Sequence, residues 1–265
     1  MRFPSVVRNR VHRALAGLLA RLESRLESRL AQVVRAEVDR AVDAVHDAEF
    51  RARRDLLGVG ERAAALSSAQ YAVRVMPTAR TFSDPESTMR YALGIAPAEG
   101  MALEFGVFQG RTLAMIAAAR DNGEVYGFDS FEGLPEDYRP HVREGAFAVD
   151  RLPAVAGAEL VVGWFDDTLP DFLGTHPGPV GFLHVDCDLY SSAKTVLDLV
   201  GPRLCAGSIV VFDEFFNYPG WEDHEFRAWQ EHLSSTGARV AYEAYTVNNE
   251  QVVVSVLDPG GPVGG

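Results

Sequence analysis

Apolar side chains recur at three- or four-residue steps through the first part of the chain: Leu15, Leu19, Leu22, Leu26, Leu30, Val34, Val38, Ala41 and Val45. That spacing puts them on one stripe and predicts a helix over residues 5 to about 66. Within it "LESRLESRL" repeats a four-residue unit that sets the glutamates and the arginines on separate faces. "GVG" at 58–60 and "MPTARTFSDPES" at 76–87 read as breaks. Ser83 or Asp84 followed by Pro85 predicts a capped helix start, with a short helix "PESTMRYALG" ending at Gly94.

From residue 100 the period changes. Short apolar runs, "MALEFGV" (101–107), "EVYGFD" (124–129), "AELVVG" (158–163), "GFLHVD" (181–186) and "SIVVFD" (208–213), read as strands. Between them lie helical segments: "RTLAMIAAAR", a stretch around 147–155, "DTLPDFLG" and "SSAKTVLDLVGPRL". This alternation predicts an α/β fold, a doubly wound, mostly parallel sheet covered on both faces. A further helix, "WEDHEFRAWQEHL", then precedes a hairpin of "RVAYEAYTV" and "QVVVSVL", bringing the expected total to seven strands. Three parts are expected: a helical extension over 1–70, an α/β domain over 71–257 and a flexible tail over 258–265.

With 265 residues, 47% of them hydrophobic, the chain can bury one sizeable core. No stretch reaches the ~18 to 20 apolar residues of a membrane span, and the opening residues lack a signal-peptide cleavage pattern. Cys187 and Cys205 form no metal or disulfide pattern, which fits a reducing cytoplasm. The net charge of −12 is uneven: residues 1–40 carry nine arginines against four acids, leaving −17 for the rest. An acidic body of that kind excludes nucleic acid as the expected partner and favours a small ligand. The basic helix suits self-association into a homo-oligomer, or peripheral contact with an acidic membrane surface.

In open parallel sheets ligands bind beyond the carboxyl ends of the strands, so the residues following each strand carry the chemistry. "LEFGVFQGRT" (103–112) takes a strand through Gly106 and Gly110 into a helix, letting backbone approach a ligand, while Glu104 suits a cationic one. Asp129 in "GFDSFEGLP" stands where an acid accepts both ribose hydroxyls of a nucleoside, or caps the following turn. Trp164 in "VVGWFDDTLP" can stack on a purine or sit in the core, and Asp166 or Asp167 can cap the next helix. Asp186 ends one strand, and Asp213 and Glu214 end the next. Three converging carboxylates repel unless a hard divalent cation such as Mg²⁺ joins them. Asp188, two residues beyond Asp186, points at whatever the metal binds, the place of a general base. His184, Tyr218 and His224 are weaker candidates for substrate contact.

These motifs, with "VYGFDSFEGLP", "GWFDDTLP", "HVDCDLYSSAKTVLDLVGPRLCAGSIVVFDEF" and "PGWEDHEFRAW", resemble the macrocin O-methyltransferase family of the TylF and MycF type, over residues 78–256. That family is a branch of the class I S-adenosylmethionine-dependent methyltransferases. The resemblance implies a Rossmann-like seven-stranded sheet, S-adenosylmethionine across the strand ends, and methylation of a hydroxyl on a sugar, glycan or phenolic acceptor. It implies Glu104, Gly106 and Gly110 on the methionine side, Asp129 on the ribose, and Ser130 and Trp164 near the adenine. It also implies Mg²⁺ at Asp186, Asp213 and Glu214, with Asp188 as the base. The family usually has Asp-Asp where this chain has Asp213-Glu214, which keeps a metal-free methyltransferase in play. A membrane-surface or assembly protein with a vestigial cofactor site is the alternative from another class. Residues 76–99, 136–147 and 215–224 are expected to shape the acceptor pocket.

Overall fold

The computed structural model describes residues 5–120 and 123–261, with side chains from His12 onward. The chain divides into two compact units, Met1–Val59 and Gly60–Gly265, so the division lies eleven residues before the boundary expected at 70. The first unit is built on α1 (Ser5–Ala52), whose apolar stripe is exposed. The helical pattern breaks at residues 53–55, not at "GVG". The reason is Asp55: its Oδ1 accepts the Gly58 N–H at 3.1 Å and starts α2 (Leu56–Val75). Gly58 and Gly60 are therefore helical, and a Cβ on Gly60 would stand 3.5 Å from Pro219. Among the described residues no helix is long and apolar enough to cross a membrane.

In the second unit α2 contributes Ala64, Ser68, Tyr71 and Ala72 to the interior. Next come β1 (Arg80–Phe82) and α3 (Pro85–Ile95), the latter capped by Asp84, whose carboxylate accepts the Ser87 N–H at 2.8 Å. Then follow β2 (Met101–Phe105), α4 (Arg111–Ala119), β3 (Val125–Asp129), β4 (Glu159–Val162), α5 (Phe165–Thr175), β5 (Val180–Val185), α6 (Tyr190–Val200), β6 (Leu204–Phe212), α7 (Glu225–Thr236), β7 (Arg239–Thr246) and β8 (Val252–Asp258).

The strands form one sheet in the order β1-β7-β8-β6-β5-β2-β3-β4. Only β8 runs against its neighbours, β6 and β7. The seven expected strands are all present; β1 adds an eighth, pairing in parallel with β7 at the edge. The central strands read as continuous apolar runs because helices cover both faces: β2 and β5 are buried at every position. One core joins the sheet to α2, α5, α6 and α7 through Tyr71, Phe172, Leu197 and Trp229. The other joins it to α3 and α4 through Met89, Ala92, Leu113 and Ile116. Winding runs outward through β2, β3 and β4, then reverses to β5 and β6. The switch point lies between β2 and β5.

One expected helix is absent. Residues 147–155 form no helix; Val149 N–H bonds to Phe131 O at 3.2 Å, and Pro153 and Val155 lie against Gly110. The tail expected at 258–265 starts inside β8, and Gly261 N–H bonds to Thr236 O at 3.0 Å; residues 262–265 lie outside the described residues.

Candidate functional site

The strand ends β2 to β6 open onto a cleft of about 610 Å³, a volume in the range of small-molecule sites. Its lining includes Gly106, Asp129, Ser130, Trp164, Asp186, Asp188 and Glu214. Each arrives there for a local reason.

Gly106 follows β2 at φ +96°, and an added Cβ would lie 1.6 Å from the Asp186 carbonyl oxygen. Glycine is required for the β2 and β5 ends to meet this closely. Gly110 adopts φ +77° at the start of α4 but lies outside the lining; a Cβ there would meet Val155 Cγ2 at 2.6 Å. Asp129 gathers three backbone donors: Oδ2 accepts Val107 N–H at 2.9 Å and Phe108 N–H at 2.8 Å, and Oδ1 accepts Phe131 N–H at 2.7 Å. It thereby shapes the turn after β2 and still faces the cleft with its remaining lone pairs. Ser130 Oγ accepts Glu132 N–H at 3.2 Å. Trp164 precedes α5, and the Gly163 N–H bonds back to Asp129 O at 3.0 Å, which brings the β3 and β4 ends together. Asp166 and Asp167 lie inside the first turn of α5 and cap nothing; they favour the positive helix end instead.

Asp188 sits at φ +62°, at the centre of a three-residue turn closed by Leu189 N–H to Cys187 O at 2.6 Å. This is the strained form of the γ-turn, of the kind that persists where surrounding structure holds it. The turn lifts the Asp188 carboxyl into the cleft. Burial pushes its pKa up to about 6, against the pull of Arg139 and with the repulsion of Asp213.

Two of the three strand-end acids, Asp186 and Asp213, meet, and a histidine joins them. Donor atoms of His184, Asp186 and Asp213 lie within 4.8 Å of one another; Glu214 stands outside this group and is directed toward Asp188. His184 is fully buried and links two acids: Nδ1 is 2.9 Å from Glu104 Oε1, and Nε2 is 3.8 Å from Asp213 Oδ1. Burial lowers its pKa, but the Asp213 and Glu104 carboxylates outweigh that and hold it well above the usual histidine value. Burial first, then Asp213, raises Asp186 well above the carboxylate range, and the same holds for Glu214. Glu104 is also fully buried, with a raised pKa from desolvation that His184 partly offsets. It backs His184 and does not line the cleft, contrary to its expected place on the ligand surface.

The three weak substrate candidates lie elsewhere. His184 is beneath the strand ends. Tyr218 is 2% exposed and packs under Arg139, with 4.7 Å from the guanidinium to its ring centroid. His224 sets its ring edge-on to Tyr138 at 4.7 Å. None of them lines the cleft. Nor do residues 76–99 or 215–224. The outer wall comes from Leu134, Pro135, Glu136 and Phe147, from Phe108, and from Ser191, Ser192 and Thr195 of α6. The loop carrying Glu136 is tied across to α6 by Ser191 Oγ donating to Glu136 Oε1 at 2.7 Å. Arg139 anchors its far end to Glu250 at 3.1 Å.

One residue was missed by motif reading. Glu225, at the start of α7, is fully buried; Oε1 accepts Cys187 N–H at 3.3 Å and Oε2 accepts Glu214 N–H at 3.2 Å. It clamps the turns after β5 and β6 together. Desolvation raises its pKa well above the usual value, opposed by the Cys187 N–H. Its signal in the sequence was a glutamate in a helix first turn, which ordinarily reads as a dipole partner.

A family model described as a methyltransferase domain matches residues 103–215, from β2 to the turn after β6. Over 155 residues, 48% of this chain and 58% of the relative, the sequence is 30% identical to 8-demethyl-8-(2,3-dimethoxy-alpha-L-rhamnosyl)-tetracenomycin-C 4'-O-methyltransferase of Streptomyces olivaceus. Over 162 residues, 49% of this chain and 58% of the relative, it is 28% identical to demethyldecarbamoylnovobiocin O-methyltransferase of Streptomyces niveus. The chain thus spans 58% of the length of both curated relatives. Among solved structures a calicheamicin methyltransferase aligns with a TM-score of 0.52 and 25% identity, covering 71% of this chain and 85% of that one. The sheet order and this likeness make the fold that of the Rossmann-like class I methyltransferases.

Proposed function

We propose that the chain is an S-adenosylmethionine-dependent O-methyltransferase of the TylF and MycF type. Its acceptor is a hydroxyl on a sugar, glycan or phenolic small molecule. The observation that carries this reading is the meeting of Gly106, Asp129, Trp164, Asp186 and Asp188 in one cleft at the switch point. The acceptor class is supported by the rhamnosyl-tetracenomycin and novobiocin methyltransferases among the relatives.

The residues fit the cofactor. Around the cleft and beneath it lie the carboxyls of Glu104, Asp129, Asp186, Asp188, Asp213, Glu214 and Glu225, an excess of acid that suits a cationic ligand. Asp129 would take the ribose hydroxyls, Trp164 and Ser130 would border the adenine, and Gly106 leaves room for the amino-acid end. The donor set also fits a hard divalent cation such as Mg²⁺, which Asp186 and Asp213 would hold with His184 or Glu214 beside them; buried His184 Nε2 and Glu214 Oε2 have no hydrogen-bond partner among the described residues. When bound, the sulfonium supplies an electrophilic methyl group and the cation an acidified acceptor hydroxyl. Asp188 then takes the hydroxyl proton, held in place by its strained turn and by the Glu225 clamp. The wall of Glu136, Phe147 and α6 aligns the acceptor oxygen with the methyl, and alignment of this kind is the larger part of the catalytic work.

A metal-free version of the same reaction is favoured by one observation: His184 already stands 3.8 Å from Asp213 and 2.9 Å from Glu104, and can balance the Asp213 charge that a cation would otherwise neutralise. Calorimetric titration of S-adenosylhomocysteine, with and without Mg²⁺, separates the two. Cofactor binding with a magnesium-dependent transfer of labelled methyl to a panel of deoxysugars and phenols supports the metal-assisted reading. Transfer unchanged by chelation supports the metal-free one. No binding of S-adenosylhomocysteine overturns both.

A further inference from the structure

The stripe on α1 has a symmetry that helix formation does not require. Leu15, Leu19, Leu22, Leu26, Leu30, Val34, Val38, Ala41 and Val45 follow one another in steps of 4, 3, 4, 4, 4, 4, 3 and 4 residues. The series reads the same from either end, with Leu30 at its centre. Turned end to end on itself, the helix sets Leu15 against Val45, Leu19 against Ala41, Leu22 against Val38 and Leu26 against Val34. Every layer then pairs a leucine with a smaller residue, except the central Leu30 pair. The mean step of 3.75 residues exceeds the 3.6 of a straight helix, so the stripe belongs to nearly straight or right-handed pairing and not to a left-handed heptad coil.

Charge supports the same arrangement. Residues 12–35 carry five arginines and two glutamates, a balance of +3; residues 36–52 carry five acids and two arginines, a balance of −3. Antiparallel pairing centred on Leu30 lays residues 12–24 of one copy, a balance of +1, along residues 36–48 of the other, a balance of −3, while residues 25–35 lie along themselves. Parallel pairing stacks like on like at both ends. The stripe is open in the single chain, with Leu26 66%, Leu30 65% and Val45 64% exposed. A contiguous apolar face of ~45 Å, the length of 30 helical residues, marks an interaction surface.

We propose that α1 is a self-association element: two copies of this chain pair through α1, antiparallel and centred on Leu30. The pairing is independent of the chemistry in the cleft.

The test uses the full chain. Light scattering at micromolar concentration gives a dimer, and Leu26→Asp shifts it to monomer while leaving S-adenosylhomocysteine affinity within twofold. Orientation is read with Leu19→Cys and Ala41→Cys chains, singly and mixed, under diamide oxidation, against the wild type as control for Cys187 and Cys205. Antiparallel pairing gives a disulfide-linked dimer in the mixture and little from either variant alone. Self-linking of Leu19→Cys shows parallel pairing and overturns the proposal. So does a monomeric wild type, including one that binds phosphatidylserine vesicles, which would make the helix a membrane-surface element instead.

Discussion

Gly106 and Asp186 share a single point in the structure: the position of a Cβ on Gly106 is 1.6 Å from the Asp186 carbonyl oxygen. The contact joins the ends of β2 and β5, where the winding of the sheet reverses. Any side chain on Gly106 must separate the two strand ends and also adopt φ +96°. We expect Gly106→Ala to exceed the ~1–3 kcal/mol of ordinary overpacking and to abolish S-adenosylhomocysteine binding. Urea unfolding and calorimetry on the variant check this; unchanged binding would mean that the strand ends tolerate separation.

Asp129 has two jobs that substitution separates. Its three backbone bonds shape the turn after β2, and its free lone pairs face the cleft. Hydrogen bonds to a charged group contribute ~1.5–3 kcal/mol each. Asp129→Ala should therefore weaken S-adenosylhomocysteine by at least tenfold, and by more if the turn reorganises. Binding at wild-type strength would remove Asp129 from the cofactor site.

Substituting Asp188, the proposed base, should leave binding intact. Asp188→Asn keeps the shape and the tolerance of positive φ. The expected result is a fall in kcat of ~10²–10⁴, the usual contribution of a general base, with cofactor affinity within twofold. A fall in affinity with kcat preserved would reassign the residue to binding.

Glu225 acts through its neighbours. Both carboxylate oxygens hold backbone N–H groups, of Cys187 and Glu214. An amide accepts only one of them and sets its own N–H₂ against the other. Outer-shell substitutions of this kind typically cost 10–100-fold in metal affinity or activity. Glu225→Gln should lose that much in kcat with KM little changed, because Glu225 itself does not line the cleft. A matching rise in KM alone would point to general loosening instead.

The seam between α2 and the turn after β6 offers a stability test. Ser68 is buried, and its hydroxyl accepts the Asn217 N–H at 2.8 Å. Ser68→Ala leaves that N–H without its partner, at a cost of about 1–3 kcal/mol, readable in chemical denaturation. It also places α2 from Gly60 onward in the folding unit. Removing residues 1–59 should preserve the unfolding transition, and removing residues 1–70 should not.

Much of the site was legible because parallel strands leave few choices. An apolar run followed by Gly106, Asp129, Trp164, Asp186 or Asp213 must deliver that residue to the carboxyl end of its strand, and all carboxyl ends lie on one edge. The position of the cleft follows from the same rule. Local chemistry also settled the start of α3, where Asp84 caps and Pro85 fills the first turn.

Other features depend on partners far along the chain. The alanine- and valine-rich stretch at 147–155 has the composition of a helix, yet Pro153 and Val155 are spent packing on Gly110. "GVG" has the look of a break, yet Asp55 caps a helix through it. The spacing of Asp186, Asp213 and Glu214 told that acids meet, but not that His184 stands with Asp186 and Asp213 and pairs with Glu104 behind them. That depends on how β2, β5 and β6 align in register, with Glu104 opposite His184 and His184 opposite Val211. Sequence determined which residues reach the edge that carries the cleft, because strand direction and side-chain alternation are local. Tertiary structure decided which of them touch, because contact distances are set by register and by packing between segments far apart in the chain, from 27 residues for His184 and Val211 to 149 for Ser68 and Asn217.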